Sequence, residues 1–250
     1  MKKLIFMIGL LSVVFFFCSL IVSAQCTSVV VGKDASVDGS VMTTHTCDGW
    51  YDARLVVVLG QTFESGAMTP IYKNICIMTR PDKELDKVGE IPQVEETYTY
   101  YHVGYPFMNE HQIMIGETTF GGRPEFENGD AWMMIEQLEI LGLQRAKTAR
   151  ECIEIMGSLA EKYGYGDGGE CLTVTDPNEA WHFEIMGPGP LWTPASGKPG
   201  AVWVAQRIPD GEVGVSANRA RIGEINLDDK EILYSYYNSK TLNQRGGQGF

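Results

Sequence analysis

The chain has 250 residues, 44% of them hydrophobic, with 32 acidic against 20 basic side chains and a formal charge of −12 at pH 7. That acidity excludes the broad basic surface of a nucleic-acid-binding domain, and the apolar fraction supports a sizeable core. Beyond the first 25 residues no apolar run approaches the length of a membrane span, so the expectation is a soluble chain of one large domain or two small ones.

Residues 2–25 have the layout of a secretory signal peptide. Lys2 and Lys3 form its positive start, 4–22 is rich in Leu, Ile, Phe and Val, and Val22-Ser23-Ala24 supplies the small-residue cleavage signal. Cys26 therefore falls at or next to the start of the exported chain. A cysteine at a free N-terminus carries its own base. The α-amine has a pKa of about 7.7 to 8.0 and can take the thiol proton without a histidine. Cleavage after Gln25 frees Cys26 directly. Cleavage after Ala24 leaves Gln25 in front, and Cys26 must then remove it by attack on the preceding carbonyl. Two other readings stand beside this one. A lipidated cysteine is poorly matched by Gln25 at −1 and Ser23 at −3, and an ordinary buried cysteine is common near a chain start.

Export leaves Cys26, Cys47, Cys76, Cys152 and Cys171. An odd number leaves at least one thiol unpaired. Their spacing matches no zinc pattern and is too sparse for a small disulfide framework.

Taken in chain order, 27–31 reads as a strand, 32–40 as a turn with Asp38-Gly39 at its tip, and 41–46 as the returning strand. Further strands are expected over 54–59, 70–79 and 96–102, with the charged stretch 80–93 as a loop or edge. Residues 131–144 carry Trp132, Ile135, Leu138, Leu141 and Leu143 at helical spacing. A second helix begins at Thr148, where Thr148-Ala149-Arg150-Glu151 is a capping box, and stops at Gly164. Cys152 lies on its apolar stripe and reads as core. Residues 171–175 and 180–185 flank Asp176-Pro177-Asn178-Glu179 as a hairpin, 187–200 is a Pro- and Gly-rich loop, and 201–206 is a short strand. Strands, two helices, then strands point to an α+β fold with helices packed on mainly antiparallel sheets.

Six ordered blocks carry a family resemblance. Cys26-Thr27-Ser28 leads to Val31-Gly32-Lys33-Asp34-Ala35-Ser36 and Asp38-Gly39-Ser40. Then come Met108-Asn109-Glu110-His111-Gln112 with Ile115-Gly116-Glu117-Thr118-Thr119 and Phe120-Gly121-Gly122-Arg123, and after them Leu143-Gln144-Arg145-Ala146-Lys147-Thr148-Ala149-Arg150. Thr175-Asp176-Pro177-Asn178-Glu179, the run 202–211, and Ser216-Ala217-Asn218-Arg219-Ala220-Arg221-Ile222 complete the set. Together they resemble the secreted, PepD-like dipeptidases of the N-terminal nucleophile (Ntn) hydrolase superfamily, over most of 26–225.

The resemblance implies an αββα sandwich, two antiparallel sheets between helical layers, formed by a single peptidase domain over 26–250 behind the signal peptide 1–25. It implies hydrolysis of small peptides through a thioester on Cys26, with no metal or organic cofactor. Small peptides are then the partners, with no nucleic acid and no membrane span in the exported chain, and homo-oligomerisation stays open. Asp48 matches the family aspartate beside the nucleophile's amine. Asn109 and Asn218 match positions that donate amide hydrogens to the tetrahedral oxyanion. An acylase of N-acyl amides or bile salts, a non-catalytic lipoprotein and an inactive fragment remain alternatives. Three departures stand out. His45 occupies a place where many relatives carry arginine, Cys47 precedes Asp48, and the chain ends in a Gly-rich tail where relatives continue to about twice this length. The expectation is therefore an N-terminal portion that is incomplete at its C-terminus.

Overall fold

The computed structural model describes residues 26–49, 51, 53–73, 75 and 84–235. Residues 1–25, where the signal peptide is expected, Cys76 and the tail 236–250 lie outside these residues. Chain order is β1 (Thr27–Val31), β2 (Met42–Thr46), β3 (Val56–Val58), β4 (Met68–Lys73), β5 (Asp86–Pro92), β6 (Tyr100–His102), β7 (Pro106–Asn109), β8 (Met114–Thr119), α1 (Ile135–Arg145), α2 (Ala149–Tyr163), β9 (Glu170–Thr175), β10 (Ala180–Met186), β11 (Val202–Ile208), β12 (Val213–Ser216) and β13 (Ile232–Tyr234). All the strand pairs within the sheets are antiparallel. The fold is α+β, as the element order predicts.

Two sheets lie face to face. The smaller has three strands in the order β12-β1-β2, and the larger has eight in the order β13-β11-β10-β9-β8-β7-β6-β3. Side chains alternate between the two faces of a strand. On β9, Thr173 points to the small sheet and its hydroxyl meets that of Thr43 at 2.7 Å. Its neighbours Leu172 and Val174 point the other way, into the core shared with Leu138, Leu141, Ile153 and Met156 of the helices. A second hydroxyl pair, Thr118 with Ser216 at 2.8 Å, ties β8 to β12. Gly116 makes the close approach of the sheets possible. A Cβ there would stand 2.6 Å from the Thr173 hydroxyl and 3.4 Å from the His45 Cβ. Around Gly116 the inter-sheet layer is thus small and hydroxylated, and farther along it holds Val30, Ala180 and Ile208, whereas the helix-facing layer is large and apolar. The outer face of the small sheet exposes Met42, Val213 and Val215. Among the described residues, no second helical layer covers it.

The helices form where their ends are satisfied. Thr148 accepts from the Glu151 amide through its hydroxyl, and Glu151 reaches back to the Lys147 amide at 2.7 Å. Asp176, in the β9–β10 hairpin, accepts from the first helical amide, Ala149, at 2.8 Å. Gly164 closes α2 at φ 82°, a conformation that costs other residues more. Cys152 is fully buried in the core, as its place on the stripe predicts.

Several elements differ from expectation. The first helix begins at Ile135, four residues later than the pattern suggests, because 131–134 is held as a loop against residues 163–166 by Trp132, Met133 and Gly166. The charged stretch expected as a loop or edge contains β5, whose Ile91 is buried and which pairs with β4. Only part of the 70–79 strand lies among the described residues, and it ends at Lys73. The strand expected over 96–102 shrinks to Tyr100–His102. β7, β8, β12 and β13 carry too short or too polar a pattern to be read as strands.

Candidate active site

Strand register brings the site together. In the β1–β2 pair Thr27 faces Thr46, and in the β1–β12 pair Ser28 faces Ser216. Continued one residue past the start of β1, the β1–β2 register sets Cys26 opposite Cys47, while the β1–β12 pairing stops at Ser216, two residues before Asn218. The Thr27 amide also donates to the Thr46 hydroxyl at 3.1 Å, which pins the end of the strand. Residues far apart in sequence are therefore neighbours because a single central strand ends at Cys26.

Cys26 is half-buried. The sulfur atoms of Cys26 and Cys47 and a carboxylate oxygen of Glu117 all lie within 4.8 Å of one another. Two sulfurs and a carboxylate at this separation are donors that a soft divalent cation could bridge. Burial pushes the Cys47 thiol up to about 12, with the Tyr51 hydrogen bond opposing it, so Cys47 stays a thiol at neutral pH. Asp48 follows Cys47 directly and is exposed. His45 sits where the resembling family carries arginine. Burial lowers its pKa, and its ring meets Tyr105 edge-on at 6.4 Å between centroids. A neutral imidazole there does not supply the positive charge of a guanidinium.

The two asparagines occupy different surroundings. Asn218 has φ 51°, a left-handed conformation that asparagine tolerates better than most residues. Its Nδ2 donates to the Thr119 carbonyl, and its Oδ1 is buried without a partner. One amide hydrogen is thus spent and one is left. Asn109 is fully buried, and Nδ2 donates to the carbonyls of Leu143 at 2.8 Å and Ala146 at 3.0 Å. Its Oδ1 accepts from the His111 and Ile113 amides. Both amide hydrogens are committed to the end of α1, so in this conformation none remains for an oxyanion. The register therefore sets Cys26 beside Cys47, with Asp48 next in sequence and Asn218 two residues beyond the end of β12, while Asn109 ties the β7–β8 turn to α1.

Sequence reasoning passed over the acids behind the nucleophile. Glu117 on β8 and Glu170 on β9 point to the helix side and share a hydrogen bond. Burial raises both pKa values, and the Glu117 charge raises Glu170 further. Thr119 donates to Glu117 at 3.1 Å. Glu139 of α1 is fully buried, with both carboxylate oxygens unpartnered, and burial holds its pKa well above the usual carboxylate range. The hydroxyl of Tyr165, among Glu170, Asp167, Glu136 and Glu117, is also fully buried and unpartnered. One signal in the sequence was available: Glu117 is the lone charge in 113–119, a stretch otherwise of apolar, small and hydroxyl residues.

The model of peptidase family C69 matches residues 25–245. The chain is 28% identical over 219 residues to a probable dipeptidase B of Lactococcus lactis subsp. lactis, covering 84% of this chain and 42% of that protein. It is 26% identical over 228 residues to a dipeptidase of Bifidobacterium longum, covering 82% and 39%. A probable dipeptidase of Latilactobacillus sakei is 25% identical over 230 residues, covering 83% and 42%. The chain spans about two fifths of the length of these curated relatives. No helix among the described residues is long and apolar enough to cross a membrane. On the family match and these relatives, the chain belongs to peptidase family C69.

Proposed function

We propose that the chain carries the nucleophile-bearing part of an exported cysteine dipeptidase of the Ntn-hydrolase type. The observation that supports it best is the place of Cys26: it opens the central strand of the small sheet, with Cys47 opposite it. Two facing sheets with helices behind the larger one fit three layers of an αββα sandwich.

In this reading, removal of the leader and Gln25 frees the Cys26 α-amine. The amine takes the thiol proton, and the sulfur attacks the carbonyl of the first residue of a dipeptide. The C–N bond breaks with return of the proton to the departing amine, leaving a thioester. Water then hydrolyses the thioester and regenerates the thiol. Asp48, the residue after Cys47, is the group we assign to hold the α-amine. The remaining Nδ2 hydrogen of Asn218 is the side-chain donor we assign to the oxyanion. Asn109, with both hydrogens spent on Leu143 and Ala146, we place in the scaffold.

The test compares protein that begins at Cys26 with protein that retains Gln25, each checked by N-terminal sequencing and assayed on a dipeptide panel. Activity confined to the Cys26 form supports the proposal. Full activity in a form that stably keeps Gln25 would remove the α-amine from the mechanism, since an acylated nitrogen is no base.

A further inference from the structure

We infer that the buried carboxylates behind Cys26, with Glu117 as the contacting group, form the subsite for the free α-ammonium of a peptide substrate. The inference rests on the reading of Cys26 as nucleophile and adds which side chain holds the substrate's amino end and so discriminates against N-acyl amides.

Distance carries the first part of the argument. In a peptide the α-nitrogen lies about 2.5 Å from its own carbonyl carbon, from standard bond lengths and angle. A carbonyl poised for attack stands roughly 3–3.5 Å from the nucleophile. The ammonium therefore falls within about 6 Å of the sulfur. A Glu117 oxygen lies within 4.8 Å of the Cys26 sulfur. A charge-assisted bond of about 2.7–2.9 Å from that oxygen reaches the ammonium while the carbonyl stays in front of the sulfur.

The surroundings carry the second part. The charges acting on Glu117, Glu139 and Glu170 are those of other carboxylates. Buried acids are normally matched by cations or by donors. Here Glu139 has two unpartnered oxygens and Glu170 has one, and the Tyr165 hydroxyl among them is unpartnered as well. A cation entering beside Glu117 supplies the counter-charge that these buried carboxylates lack.

The experiment uses two substrates that differ only at this group: alanyl-alanine, and propionyl-alanine, in which hydrogen replaces the ammonium. With the processed chain, kcat/KM for alanyl-alanine should exceed that for propionyl-alanine by roughly 30-fold or more, the scale of a buried charge pair. Glu117→Gln should shrink that ratio at least tenfold. Equal slowing of both substrates by Glu117→Gln would overturn the subsite, because the carboxylate would then serve the enzyme's own α-amine. Equal or better turnover of propionyl-alanine by the unaltered protein would overturn it too. Calorimetric binding of the same two compounds to Cys26→Ala reads the subsite without turnover. Selective binding of alanyl-alanine there supports the subsite even if the unaltered chain hydrolyses neither compound, an outcome that counts against the dipeptidase reading alone. Binding of neither, or of both equally, overturns the subsite.

Discussion

The sulfur atoms of Cys26 and Cys47 lie within 4.8 Å of each other at the open end of the β1–β2 pair. Directly opposed residues of an antiparallel pair have Cα atoms about 4.5–5.5 Å apart, inside the range a disulfide spans. Burial keeps Cys47 protonated, so Cys26 is the sulfur that attacks in any exchange. A thiol oxidant such as diamide should therefore inactivate the protein reversibly, with dithiothreitol restoring activity. In Cys47→Ala the reversible component should disappear. Mass spectrometry of the oxidised protein checks this. A Cys26–Cys47 cross-link is expected, and its absence after full oxidation would exclude the pairing.

The two asparagines separate by readout. Asn218→Gly keeps the left-handed backbone at φ 51° but removes the amide. It should lower kcat by roughly 10²–10³ with little change in melting temperature. Asn109→Ala removes four hydrogen bonds and strands two carbonyls at the end of α1. It should cost about 3 kcal/mol of stability. That is a drop of roughly 6–12 °C for a chain of this size, and protein that stays folded should keep its turnover. A large loss of kcat in well-folded Asn109→Ala would return that residue to the oxyanion.

Glu139 gives a pH dependence with a definite sign. Its folded-state pKa is raised by burial, and the charges of Glu117 and Glu136 add to this. The unfolded chain releases the proton near the ordinary carboxylate pKa of about 4.3, while the folded chain keeps it. The stability from the raised pKa is therefore fully present below that pH and is lost as pH rises toward the folded value. Between about pH 5 and about pH 8 the unaltered protein should lose several degrees of melting temperature relative to Glu139→Gln. Parallel curves for the two proteins would mean that Glu139 ionises freely in the fold.

The sequence made the frame of the site legible for physical reasons that can be traced. Cys26 could be found because the apolar run 4–22 and its small-residue end stop just before it, and α2 because Thr148, Glu151 and Gly164 mark both of its ends. The turn at Asp38-Gly39 set β1 beside β2 and so placed Cys47 near Cys26. Asn218 needed β12, a four-residue strand with alternating glycine and valine that local pattern does not distinguish from a loop. Asn109 shared a motif block with the site, yet its four partners come from α1 and the β7–β8 turn, contacts that spacing cannot reveal. α1 is buried at every position from Ile135 to Leu143, so it has no polar face to set Glu139 apart from its apolar neighbours. Glu117, Glu170 and Glu139 converge only when β8, β9 and α1 pack, and a buried acid looks like a surface acid in sequence.

The account turns on Cys26 as an N-terminal nucleophile, and release of free alanine from alanyl-alanine measures it most directly. The chain beginning at Cys26 should release alanine, and the same chain with Cys26→Ala should release none above buffer while melting at the same temperature. Cys26→Ser should retain a small remainder. Hydrolysis by Cys26→Ala at the unaltered rate would contradict the account, because no other group in the site is then assigned to attack the carbonyl.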